Sequence, residues 1–158
     1  MRLLARGAVA GAAATLPMTA VLLVAQRRGA LEEPPPFTIL RRADRCQRRR
    51  RTGTVSGSIA RRRRRERAGR AARLHLAIGA ISGAVYGLLG GTTRPNPASA
   101  VAHGVAHGLG VWLAGYAVTL PLAGLYAPAW ADRPRRVRSI VAAHLVYGAV
   151  LGLVARRK

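Results

Sequence analysis

The chain has 158 residues, half of them hydrophobic, yet it carries 27 basic against five acidic side chains, a formal net charge of +22. A soluble helical domain spreads its charges along every helix, one face wet and one dry. Here they are gathered into blocks, which excludes that class and fits a bilayer, where a charge at the centre is costly. All five acidic residues (Glu32, Glu33, Asp44, Glu66, Asp132) fall between long apolar blocks. Lysine occurs once, at Lys158. With abundant Ala and Gly, that bias resembles the codon usage of a GC-rich genome, so arginine number alone assigns no function. Cys46 is the single cysteine, which rules out an intramolecular disulfide or a thiolate cluster.

In chain order, residues 1–26 form the first block long enough for the roughly 20 apolar residues of a spanning helix. Arg2 and Arg6 give it the look of a signal peptide. Its apolar run exceeds the roughly 7 to 15 residues of a signal core, however, and no small-x-small cleavage site closes it, so it is expected to be retained. Residues 27–70 follow: EEPPPF, an extended proline stretch, then RRADRCQRRRR and RRRRRER around TGTVSGS. Dense like charge and few apolar residues predict a segment that is largely disordered or surface-bound.

The second helix is expected at 71–91, then a tight turn at TTRPNP, residues 92–97. A third helix is expected at 98–125. Next comes YAPAWADRPRR, residues 126–136, with Tyr126 and Trp130 where interfacial aromatics belong. A fourth helix is expected at 137–155. The fold class is therefore all-α, an integral membrane four-helix bundle.

Loop 27–73 holds 17 arginines and the third loop holds Arg133, Arg135, Arg136 and Arg138; the opposite side holds only Arg2, Arg6, Arg94, Arg156, Arg157 and Lys158. By the positive-inside rule, loops 27–70 and 126–136 are cytoplasmic. Two echoes suggest duplication. GAAATLPM (11–18) matches GYAVTLPL (115–122) at an offset of 104, and HLAIGAISG (75–83) matches HLVYGAVLG (144–152) at 69. The chain then reads as a duplicated helical hairpin, a 2+2 parallel repeat about an axis along the membrane normal.

Each helix carries Gly-xxx-Gly: Gly7/Gly11, Gly79/Gly83/Gly87, Gly104/Gly108 and Gly148/Gly152. Lipid is as apolar as leucine, so helices associate by close backbone approach, which glycine permits. A compact bundle, open to homo-oligomerisation, is expected. Pro17 and Pro121 each remove one helical hydrogen bond and are expected to kink their helices, with Thr15 and Thr119 covering the freed carbonyls.

TLPLAGLYAP (119–128), HLVYG (144–148) and EPPPF (33–37) resemble the YagU-like family of small bacterial inner-membrane proteins. The resemblance omits residues 43–70 and implies a bacterial inner-membrane location and a helix plan, but no reaction. It also implies cytoplasmic termini, the reverse of the arginine count.

His75, His103, His107 and His144 all fall in expected helices. Packing is the favoured role, each imidazole bonding across a glycine-lined contact. Haem ligation by His107 and His144 is the alternative. No Asp, Glu or Cys lies in an apolar block, so neither a metal site nor a cofactor is expected. Ser82 beside a histidine has no acidic orienter, so no catalytic residue is assigned and an enzyme is not expected. Loop 27–73 has a net charge of +13 and should be drawn to anionic headgroups. Nucleic acid is disfavoured, because no stacking aromatic interleaves the arginines. The expected role is a non-enzymatic structural or interaction protein, with a small transporter or a haem redox protein as alternatives.

Overall fold

The computed structural model describes residues 2–31, 57–93, 96–124 and 128–156, with the backbone alone at 57–64. Every regular element among them is helical. Four helices build the bundle: α1, Arg2–Arg27; α2, Gly57–Leu88; α3, Pro97–Leu122; and α4, Pro134–Ala155. All four are long and apolar enough to cross a membrane. The bundle is oily on the outside: Val9 is 70% exposed, Ile81 66% and Leu122 84%, while Ala10, Ala14, Ala143 and Ala155 fill the interior. A water-soluble bundle has the opposite arrangement. Together these features suggest a multi-pass membrane protein.

Glycine and small residues draw the helices into antiparallel pairs. Along α1 and α2, an added Cβ on Gly83 would collide with the Gly7 carbonyl, and one on Gly11 with the Gly79 carbonyl. Gly87 sits against Leu3 in the same way. Along α3 and α4, Gly104 meets the Gly148 carbonyl, Gly108 that of His144, and Gly152 that of Ala100. Alanine would separate either pair.

A third seam joins α1 to α4. Arg6 ties it, its Nε donating to the Ala155 carbonyl at 3.0 Å and its Nη2 to that of Arg156 at 2.5 Å. These are the unsatisfied carbonyls of a helix C-terminus, where a cation also complements the helix dipole. Packing puts residue 6, the end of α2, the start of α3 and the end of α4 on one face. The connections at 28–56 and 123–133 therefore both leave from the other.

Several boundaries differ from the sequence expectation. Residues 57–70, expected to be disordered, are the first four turns of α2. Alanine and arginine are good helix formers, and a segment that extends an existing helix needs no nucleation. The EEPPPF stretch, the arginines at 41–51 and Cys46 lie outside the described residues. Helix α4 begins three residues early, with Pro134 in the first turn, where its missing N–H costs nothing. Asn96 caps α3, accepting from the Ala98 N–H at 2.8 Å ahead of Pro97.

Helix α3 is not uniform. It is α-helical over Pro97–Trp112, π-helical over Leu113–Thr119, and α-helical again over Leu120–Leu122. Pro121 ends the wide turns, having no N–H to give. The threonines do not cover the carbonyls that Pro17 and Pro121 leave. Thr15 donates to Gly11 at 2.9 Å and Thr119 to Ala114 at 2.7 Å. A threonine hydroxyl reaches back about one turn from its own position, which in each case overshoots the proline's lost partner.

The two hairpins share one register and not the other. Gly79 and Gly83 correspond in contact to Gly148 and Gly152, the expected 69-residue offset. Their partners, however, are Gly11 and Gly104, 93 apart. The two Thr-Leu-Pro motifs, 104 apart, therefore sit at different levels, displaced by eleven residues or about three turns. The hairpins also meet unequally: α1 packs along α4, whereas α2 and α3 touch little.

Candidate functional site: a cavity in the open seam

Where α2 and α3 stand apart, a cavity of about 310 Å³ opens. Its sides are Leu74, His75, Ile78, Gly79 and Ser82 of α2, and Val111, Gly115, Tyr116, Thr119 and Leu120 of α3. Thr15, Met18 and Leu22 of α1 and Ile140, His144 and Tyr147 of α4 close the back. It lies in the half of the bundle nearer the basic connections. The π-helical segment shapes it, since Gly115, Tyr116 and Thr119 belong to those wide turns. Such segments recur at functional sites because the extra residue per turn redirects side chains.

The four histidines meet four different fates. His75 places Nδ1 3.3 Å from Thr19 Oγ1, across the α1–α2 seam. Thr19 gives its own proton to the Thr15 carbonyl at 2.7 Å, so His75 Nδ1–H is the donor and its Nε2 carries a lone pair. His144 turns to its own helix, Nδ1–H donating to Ile140 at 2.8 Å. The difference follows from register: the position of Thr19, shifted by 93, is Trp112, which offers no acceptor. Trp112 stacks on Tyr116 at 6.3 Å, and its buried Nε1 has no partner among the described residues. The two HL copies thus do not repeat one packing peg.

His107 leaves the α3–α4 seam for α2. Its Nε2 lies 3.0 Å from Ser82 Oγ and 3.1 Å from the Ser82 carbonyl, and its ring meets Tyr86 edge-on at 5.2 Å. His103, expected to pack, is exposed on the outer surface one turn away.

The structure places the two histidine pairings weighed from the sequence. Gly108 rests on the His144 carbonyl, so His107 and His144 lie at similar depth. Their rings nonetheless face different neighbours, and it is His75 that shares the cavity with His144. The Ser82–His107 contact also resembles a nucleophile and base. A carbonyl can only accept, so the 3.1 Å contact requires a proton on Nε2. That nitrogen then cannot take the Ser82 proton. Among the described residues no three His, Cys, Asp or Glu side chains converge as metal ligands.

Other residues at the site carried no sequence signal beyond their type. Tyr147, 3% exposed, donates to the Gly79 carbonyl at 2.9 Å and locks α4 to α2. Tyr116 donates to Asp132, which also accepts from the Arg133 N–H at 2.7 Å and from Arg136 at 3.3 Å. That one carboxylate joins the π segment to the start of α4. Only the Thr15/Thr19 spacing, one turn apart, could have pointed to the partner of His75.

No protein family, curated protein or solved structure matches this chain.

Proposed function

We propose that the chain is a multi-pass protein of the bacterial inner membrane, with its two basic connections at the cytoplasmic leaflet. It acts as a non-enzymatic structural or interaction protein whose arginines contact anionic headgroups. One observation carries this reading: both basic connections leave the bundle on the same face, so the 17 and four arginines add rather than oppose. The helical extension of α2 strengthens it. Residues 57–70 run about 21 Å, beyond what the roughly 30 Å hydrocarbon core needs, so in this reading the backbone of residues 61–65 lies at headgroup level and past it.

Descent from a duplicated hairpin, supported by the 69-residue register of α2 and α4, belongs to the same proposal. Kinship with the YagU-like family, supported by the motifs at 33–37, 119–128 and 144–148, is proposed for the location and helix plan and not for the orientation, where the arginine count is followed. The test is lipid retention. Arg61→Gln through Arg65→Gln together should reduce the phosphatidylglycerol that stays with the chain in native nanodiscs, since each basic residue near the surface contributes about 1 kcal/mol. Equal retention would end the lipid role.

A carrier is the second reading, favoured by the cavity and the proline-terminated π turns beside it. Ile78→Trp, which fills the cavity, should then abolish solute flux in liposomes.

A further inference from the structure

The cavity's polar groups have almost all committed their protons to helix backbone or a neighbour. Thr15 donates to Gly11, Tyr147 to Gly79, Thr119 to Ala114, and His144 Nδ1–H to Ile140. His75 Nδ1–H goes to Thr19, whose own proton is engaged. What remains uncommitted among these cavity-lining groups is the lone pair on Nε2 of His75 and that on Nε2 of His144. The Thr15 oxygen packs on Gly79, and the Tyr147 oxygen has the Ser82 hydroxyl against it. Neither Nε2 has a protein partner among the described residues, and both imidazoles line the cavity. Tyr116 donates to Asp132, and the remaining hydroxyl in the wall, Ser82, is engaged with the Tyr147 oxygen and His107 Nε2.

Such a wall selects its ligand by chemistry. An anion or a bare carbonyl compound would find acceptors facing acceptors. A cation would have to approach past the basic face of a chain at +22 and lie among Met18, Leu22, Ile78 and Ile140. A neutral molecule that is mostly apolar and has a hydroxyl hydrogen to give satisfies both the lone pairs and the lining.

We propose that the α2–α3 cavity binds an uncharged lipophilic alcohol or phenol, its hydroxyl donating to Nε2 of His75 or His144 and its apolar body lying among the aliphatic side chains. Entry is from the surrounding lipid through the seam that α2 and α3 leave open. That route rests on the membrane reading above; the binding itself is testable in micelles, so the two can fail separately.

The probe is a diazirine-bearing 4-alkylphenol, photolysed with the purified full chain in mild detergent and mapped by mass spectrometry. Labelling should fall on cavity residues such as Met18 and Ile140. Unlabelled 4-hexylphenol should suppress it, and 4-hexylanisole, the same molecule without the hydroxyl hydrogen, should compete roughly tenfold or more weakly, as expected when buried acceptors lose their donor. His144→Leu should weaken suppression by a similar factor and His144→Gln, which keeps an acceptor, should restore most of it. His103→Leu on the outer surface should change nothing. The phenol–anisole comparison uses the unaltered chain and so stands even if a variant fails to fold. Equal competition by phenol and anisole, labelling scattered over the bundle surface, or full competition with His75→Leu and His144→Leu together would overturn the proposal. So would a Soret band in the purified chain that those variants abolish, which would assign the same lone pairs to haem iron.

Discussion

Replacing Gly83 by alanine is the smallest change that should pry the bundle open. The added methyl carbon would lie 2.7 Å from Gly11 Cα and 2.9 Å from Gly11 N, as well as against the Gly7 carbonyl. All are backbone atoms of α1, so no side chain can swing aside. Relieving the Gly11 contact alone, to about 3.4 Å, pushes α1 away by roughly 0.7 Å at that level, and the Gly7 carbonyl, closer still, demands more. A gap of about 0.5–1 Å already forfeits about a quarter to a half of each dispersion contact it crosses. Overpacking of this kind costs about 1–3 kcal/mol. Helix propensity runs the other way by up to about 1 kcal/mol, leaving a net loss near 1–2 kcal/mol. The control is Gly110→Ala, where an added Cβ meets nothing within 4 Å and only the propensity gain applies. Unfolding in mixed detergent–SDS micelles, followed by circular dichroism, should place Gly83→Ala below the wild-type chain and Gly110→Ala at or above it. If Gly83→Ala proved as stable as Gly110→Ala, close backbone approach would not be what holds α1 to α2.

Other changes probe other joints. Tyr147→Phe removes the hydrogen bond from α4 to the Gly79 carbonyl and should cost about 1 kcal/mol in the same assay. Arg6→Leu uncaps the end of α4; because Arg6 is exposed, about 1 kcal/mol or less is expected, with faster amide exchange confined to the last turn of α4. Asp132→Asn should leave the Arg133 N–H contact but weaken those from Tyr116 and Arg136, loosening the 113–119 segment, as measured by hydrogen exchange there.

The helices were legible because charge is segregated so strongly from the long apolar runs: only residues such as Arg73 and Arg133, at the edges, blurred where each begins. The first turns of α2 were not legible, since like charge and helix propensity point in opposite directions at residues 57–70. Propensity prevails when a spanning helix is already there to extend. Glycine spacing named the contact residues but not their register, which depends on which seam packs and by how many turns. For the same reason His75 and His144 could be seen as repeats of each other without revealing that Thr19 faces one and Trp112 corresponds to its place beside the other. The cavity was invisible in the sequence, because it exists where two helices fail to meet. Pro121 was the one local sign of the π turns, and a proline in a helix signals a break without saying which carbonyls the chain will use instead.

The single thiol offers the most direct test of the arrangement. Cys46 belongs to the arginine-rich connection, so a membrane-impermeant maleimide should label it in inside-out vesicles and leave it unmodified in intact spheroplasts. Labelling in intact spheroplasts, with protection in the inverted vesicles, would place the basic face outside and contradict the account.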